Sequence, residues 1–408
     1  MVNVMKQAKP LIAVYLLLCT LGHSSMSLAD QPLEVADNGF GFRLFKQLAK
    51  DQPYTNISIS PYSTATLLQT VSNGAQGKTM AEMQYLLGTT QLSSAAVNAA
   101  NKAISQSLTS TSAHLILKTA NAIWYRPGTV VNPAFISTNQ QFYGATVEAL
   151  NFADPHSVDI INAWASDRTE GKIRRIADGM IDARNTQLFL ANALYFKGKW
   201  SSPFEARYTK NRAFHLHGGG EKIVPMMQQS NHWEYCQGPG YQAVRLPYED
   251  GNISMYLFLP DIHSAPQTIL ATLSGDSWQR LSKSGFSSQH VNLVMPKFKV
   301  EYSVELRDPL AALGMKAAFS AQSADFSGIA PGIFISAVRH KTFVEVNEEG
   351  TEAAAVTGAA ATLSAVREIV DMTVDRPFLF LIEDKSTEMI LFMGVVFNPA
   401  DNYIERSR

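Results

Sequence analysis

Nine histidines and two cysteines are the first residues to test for chemistry in this chain of 408 residues. His215 and His217 alternate, so on a strand they would share one face and offer two metal ligands. No Cys or carboxylate at ligand spacing completes the set, and no metal site is read there. His340 sits between Val338 and a β-prone run and reads as a buried hydrogen-bonding residue. The sequence has no Gly-x-Ser-x-Gly elbow, no His-Glu-x-x-His and no carboxylate pair on an obvious scaffold. Gly77-Lys78-Thr79 resembles the end of a phosphate loop. That motif needs glycine where Ser72 stands, and a helix rather than a strand precedes it. The chain is therefore read as no enzyme, with no metal and no cofactor.

A different feature stands out from Val344 to Thr362. Phe343, Val344 and Val346 are β-prone; acids and Gly350 interrupt them; a long run of small, nearly uncharged residues follows. A surface loop should be polar and a core strand rich in branched residues. This segment is neither, and reads as a loop able to become a strand where only small side chains fit. Strand alternation puts Thr351, Ala353, Ala355, Thr357, Ala359 and Ala361 on one face, none large or charged. Glu352, the only charge after Gly350 in this stretch, falls on the other face.

Composition bounds the rest. With 46% hydrophobic and 17% charged residues the chain is globular, and a formal charge of −1 argues for neither a nucleic-acid nor a membrane-surface partner. Residues 1–29 read as a secretory signal: basic Lys6 and Lys9, an apolar Leu11 to Leu21 too short to span a bilayer, and a small-x-small site at Ser27-Leu28-Ala29. Cys19 lacks the preceding small residue of a lipidation site. Cleavage leaves 32 basic against 35 acidic residues, and Cys236 as the only cysteine. An exported chain with one cysteine has no internal disulfide and must rely on packing. Length alone suggests two domains, but no linker is visible, so residues 30–408 are read as one.

The elements that must position the Val344–Thr362 stretch read as α+β. Helical patterns cover Phe40–Ala49, Pro61–Val71 (capped by Ser60), Lys78–Leu87, Pro133–Tyr143, Ile160–Arg168 and Leu306–Leu313. Strand patterns cover Asn56–Ser60, Leu115–Trp124, Gln187–Tyr195, Val244–Leu246, Ser254–Leu259, Val291–Met295, Lys297–Tyr302, Phe334–Ser336, Thr342–Val346, Phe378–Ile382 and Met389–Val396. Gln187–Tyr195 is apolar enough to be a central strand, and His217-Gly218-Gly219-Gly220 a hairpin turn.

In this order the landmarks resemble the serpin family over essentially the whole mature chain. They are Asn56-Ile-Ser-Ile-Ser-Pro61, Asn192-Ala-Leu-Tyr-Phe-Lys-Gly-Lys-Trp200, Val224-Pro-Met-Met227, Leu246-Pro-Tyr248, Met295-Pro-Lys-Phe298, Ala324-Asp-Phe-Ser-Gly-Ile329, His340 through Ala355, Arg376-Pro-Phe-Leu-Phe380 and Leu391-Phe-Met-Gly394. The resemblance implies one domain with three β-sheets, about nine helices and an exposed reactive-centre loop. It implies a monomer that traps a serine protease covalently by inserting its cleaved loop into the main sheet, with a cysteine protease as a second target class; the signal at residues 1–29 makes it secreted or periplasmic. A carrier or chaperone without inhibitory activity is the alternative the family offers.

The resemblance also assigns roles residue by residue. Glu348, Gly350, Thr351, Glu352, Ala353, Ala354 and Ala355 match the hinge of the loop. Ser60, Asn192 and His340 match the polar cluster beneath the main sheet where its strands part. Trp200, Thr209 and Lys297 match the top of that sheet, with Lys297 and Glu348 placed to pair. About fourteen residues beyond Gly350, the scissile bond falls between Ser364 and Ala365. Small apolar flanks there suit elastase-like or subtilisin-like pockets. Leu363, Val366 and Arg367 are the competing positions, and Arg367 would suit a trypsin-like pocket.

Overall fold

The computed structural model describes residues 32–109, 115–350 and 369–401. In chain order the elements are α1 (Leu33–Asp51), β1 (Ile57–Ile59), α2 (Pro61–Ser72), α3 (Gly77–Leu87), α4 (Ser94–Thr109), β2 (Leu115–Tyr125), α5 (Pro133–Tyr143), β3 (Thr146–Ala149), α6 (Ser157–Arg168) and β4 (Leu188–Gly198). They continue with β5 (Lys210–His215), β6 (Glu221–Gly238), β7 (Tyr241–Pro247), β8 (Ile253–Pro260), α7 (Pro266–Thr272), α8 (Gly275–Ser284), β9 (Ser287–Pro296), β10 (Phe298–Glu305), α9 (Arg307–Ala312), β11 (Ile335–Val346), β12 (Val370–Thr373), β13 (Phe378–Asp384) and β14 (Met389–Val396).

Hydrogen bonding divides the strands into two networks. One is five-stranded, in the order β10-β11-β4-β2-β3. The other has nine strands, β1-β14-β13-β8-β7-β6-β9-β12, with β5 on β6. The expected three sheets emerge if the larger network is divided along β6. That long strand pairs β9 over Met226–Tyr235 and β7 over Glu234–Gly238, so it passes from one strand group into the next.

Local chemistry explains the elements that carry the site. Ser60 caps α2, its Oγ accepting from the Ser63 N–H at 3.0 Å, and Pro61 occupies the first helical position, where a missing N–H costs nothing. β4 is buried on both faces, as a central strand must be. The main core lies between the two networks and includes α1 and α2. A second apolar cluster lies on the opposite face of the five-stranded sheet, where α6 and Ile173, Ile176 and Ala177 cover Trp124, Phe189, Ala191, Ala193, Tyr195 and Phe343. Among the described residues, no helix is long and apolar enough to cross a membrane.

Candidate functional site

The candidate site is the seam between β4 and β11. These strands run parallel and are paired from Leu188 and Ile335 up to Tyr195 and Phe343. Above that rung each strand continues with its outer partner only: Val344–Val346 with β10, and Phe196–Gly198 with β2. The seam is thus closed below and parted above.

A tight reversal sits at the parted end. The Asn347 N–H donates to the Gly350 carbonyl at 2.9 Å, and the Gly350 N–H to the Asn347 carbonyl at 3.2 Å. Gly350 also bridges Lys199, antiparallel, on the other side. One residue therefore lies between the two strand ends and bonds in antiparallel sense to both. Its φ of +121° is in the left-handed region, and a Cβ there would strike the Gly198 carbonyl oxygen and the Trp200 nitrogen. Only glycine fits this position.

The turn is anchored by Trp200, Phe204, Thr209 and Lys297. The Trp200 N–H donates to the Glu349 carbonyl at 2.9 Å, the Phe204 N–H to the Glu348 carbonyl at 2.7 Å, and the Trp200 indole N–H to the Asn347 carbonyl at 3.0 Å. Trp200 stacks on Tyr248 with centroids 4.5 Å apart. The Thr209 hydroxyl donates to Glu348 Oε1 at 2.8 Å, and Lys297 Nζ lies 3.0 Å from Glu348 Oε2. Burial opposes the charged form of Glu348, but its hydrogen bonds to backbone, Thr209 and Lys297 outweigh it and hold the carboxyl below its ordinary range.

The last closed rung has its own fastening. Tyr195 and Phe343 meet across the seam edge to face, centroids 6.1 Å apart. Lys172, from the segment after α6, lies over both rings at 5.7 and 5.6 Å, and Lys299 of β10 over Phe343 at 4.9 Å. No single stretch of sequence announces this cluster, since its members come from four separate segments.

Three rungs below, on the other face, Ser60, Asn192 and His340 lie together. His340 and Asn192 are register partners, and both are fully buried. The Ser60 backbone N–H donates to His340 Nε2 at 3.1 Å, so Nε2 carries the lone pair and Nδ1 the proton. Nδ1–H then donates to Asn192 Oδ1 at 2.6 Å. Burial lowers the His340 pKa from 6.5 to about 3, and the ring is neutral. The Asn192 amide donates to Asn121 Oδ1 at 2.5 Å and to Ser63 Oγ. Ser60 takes part through its main chain, while its hydroxyl caps α2. Ser63 and Asn121 also belong to the cluster, beyond the residues the family resemblance names. Ser63 could have been found as the first-turn serine beside the cap, but Asn121 only from the register that sets it opposite Asn192.

Several expectations fall elsewhere. His215 pairs with Glu221 at 3.2 Å, whereas His217 stacks on Tyr54, so the two diverge. The hinge residues Thr351, Glu352, Ala353, Ala354 and Ala355, the bond between Ser364 and Ala365, its competitors Leu363, Val366 and Arg367, and the export segment 1–29 lie outside the described residues.

Comparison with known proteins points the same way. The sequence profile of the family described as serpin (serine protease inhibitor) matches residues 35–399. Human leukocyte elastase inhibitor is 34% identical over 387 residues, covering 90% of this chain and all of that protein. The solved structure of native protease nexin-1 with heparin superposes with a TM-score of 0.83 at 30% identity, covering 90% of this chain and 99% of that one. Human thyroxine-binding globulin with bound thyroxine gives 0.82 at 26% identity, covering 90% and 98%.

Proposed function

The chain belongs to the serpin family, and from that premise we propose that it is a suicide inhibitor of serine proteases that closes its trap by inserting residues 351 onward between β4 and β11. The observation that carries this reading is Gly350, bonded antiparallel to the ends of both strands.

A chain that reverses at residues 347–350 runs antiparallel to β11. Because β4 is parallel to β11, it also runs antiparallel to β4. Insertion would replace one parallel pairing by two antiparallel ones, the slightly more stable kind per residue. A strand of about ten residues adds on the order of ten backbone hydrogen bonds, each worth ~0.5–1.5 kcal/mol net. Continuing both Gly350 bridges residue by residue sets Ala354 between Tyr195 and Phe343, and Thr357 between Asn192 and His340. The two bridges give the same register. Thr351, Ala353, Ala355 and Thr357 then face the main core and Glu352 the opposite face.

The protease serine attacks the carbonyl carbon of Ser364. The bond to Ala365 breaks, its amine leaves with a proton, and the loop remains as an ester on the protease. Insertion of the freed strand would carry that ester away before water cleaves it. Residues 1–29 are proposed as the export signal, so the inhibitor would act outside the cytoplasm.

The test is incubation with elastase-like and subtilisin-like proteases, followed by denaturing gels and mass analysis of the small C-terminal fragment. A covalent complex and a fragment beginning at Ala365 are expected. Cleavage by every protease without a stable complex, and without a gain in heat stability, would replace this reading by a carrier or chaperone role. The structure of a relative with thyroxine is the reason to keep that arm.

A further inference from the structure

We propose that His232 and His290 form a surface site for a divalent transition-metal ion of the Cu2+, Ni2+ or Zn2+ class, with water completing the coordination. The two residues are distant in sequence but directly opposite in the register of β6 and β9. Opposed Cβ atoms of an antiparallel pair lie about 4.5–5.5 Å apart, which brings the two imidazoles of this pair into one volume above the sheet. Their centroids are 5.0 Å apart and their planes 30° from parallel. A metal–imidazole bond is ~2.0–2.1 Å, and the ring centroid lies roughly 1 Å further on. Two rings on one ion at a near-tetrahedral angle therefore have centroids about 5 Å apart. The rings are stacked at this spacing, and rotation about their Cβ–Cγ bonds would turn one nitrogen of each toward a shared ion without moving the strands.

The surroundings favour the same reading. Ser230 lies on the same face of β6, and its Oγ is 3.0 Å from His290 Nε2. With this hydroxyl accepting from Nε2–H, Nδ1 keeps its lone pair for the ion, the outer-shell arrangement that orients metal-binding histidines. His232 is exposed and His290 half-buried, so an ion can reach the pair. Glu234, next along the same face, is held by Arg245, whose Nη1 lies 2.5 Å from its Oε2. Among the described residues, no three His, Cys, Asp or Glu side chains gather to hold a metal, so the site offers two nitrogens and open positions. That donor set selects imidazole-loving ions over Mg2+ and Ca2+, which require oxygen ligands. A bound ion would tie β6 to β9, the strand that carries β12, where the chain returns after residue 368.

Calorimetric titration of tag-free protein with Zn2+, Ni2+ and Cu2+, together with the nitrogen splitting of bound Cu2+ by electron paramagnetic resonance, tests the site. One ion per chain and two coordinating nitrogens are expected. His232→Ala and His290→Ala should each weaken binding by about tenfold or more, a step of at least ~1.4 kcal/mol. Their melting curves without metal should match that of the parent. His215→Ala should leave binding unchanged. Absence of binding by all three ions, or full affinity in either single variant, would overturn the proposal. The site stands independently of the inhibitor reading, since no protease enters the measurement.

Discussion

The seam between β4 and β11 is held by two regions built on different physics. In its middle, Asn192 and His340 are sealed from water and bonded only to neutral partners. At its mouth, Lys297 and Glu348 form an ion pair whose side chains keep 17% and 14% of their exposure. A neutral buried network is costly to leave half-broken, because each orphaned group has lost its water. A pair at the rim can exchange its partner for solvent at smaller cost. A strand entering from the mouth would meet the weaker fastening first. The stronger one lies three rungs deeper, beyond Tyr195 and Phe343.

The largest effect that would sharpen this contrast is pH. His340 has a folded pKa of about 3 against an ordinary 6.5, so it binds its proton in the unfolded chain first. Its contribution is full above pH 6.5 and is lost as pH falls toward 3, by up to roughly 5 kcal/mol. Glu383 acts oppositely. Burial raises its pKa from 4.5 to about 7, so its contribution is full below 4.5 and declines as pH rises to 7. The His340 part is therefore read as the difference between the parent and His340→Gln in urea midpoints of the uncleaved protein from pH 7.5 to 4. Parallel profiles would show that the middle is not held by a neutral imidazole.

Next in size is Asn192→Ala, which strands the His340 Nδ1–H and Asn121 Oδ1. It should destabilise the uncleaved protein by about 3 kcal/mol. A loss under 1 kcal/mol would place the holding force elsewhere. Phe343→Leu keeps a branched apolar side chain, somewhat smaller, and removes the ring that meets Tyr195, Lys172 and Lys299. A loss of about 1–2 kcal/mol is expected. Because insertion would part this rung, the loss should be larger before loop cleavage than after it. Equal losses in both forms would mean that the rung packs but does not fasten. Smallest is Lys297→Met at the mouth, about 1 kcal/mol. It should speed spontaneous change of the uncleaved protein on mild heating, followed by native gel. An effect exceeding that of Asn192→Ala would invert the comparison.

Much of this was legible in the residues. Ser60-Pro61 announced the start of α2, and the apolar run at Gln187–Tyr195 a central strand. Where the reading failed, a physical cause can be named. β11 read as two pieces because Arg339, His340 and Lys341 interrupt its apolar pattern. In the fold it is one strand: His340 finds Asn192, and Lys341 reaches Glu301 and the Arg175 carbonyl, both at 2.8 Å. β6 has no clear strand signature in the sequence because its burial alternates only weakly along 18 residues. α4 was missed because Ala, Ser and Asn dominate it, yet it packs through Val97, Asn101 and Leu108. The cross-strand pairs, Asn121 with Asn192 and His232 with His290, have no signature along the chain, since register is a property of two strands together.

By itself the sequence determined the local instructions: the caps, the turns, the apolar periods, a glycine at residue 350, and the run of small, nearly uncharged residues after it. Those depend on neighbours within a few residues, whose conformational preferences are set by covalent geometry and side-chain size. The tertiary structure alone decided that β4 and β11 are parallel neighbours, that their pairing stops at Tyr195 and Phe343, and that Gly350 bridges both strand ends. It also decided that one buried histidine stays neutral. Those outcomes depend on register and burial, which exist only once distant segments have excluded water between them.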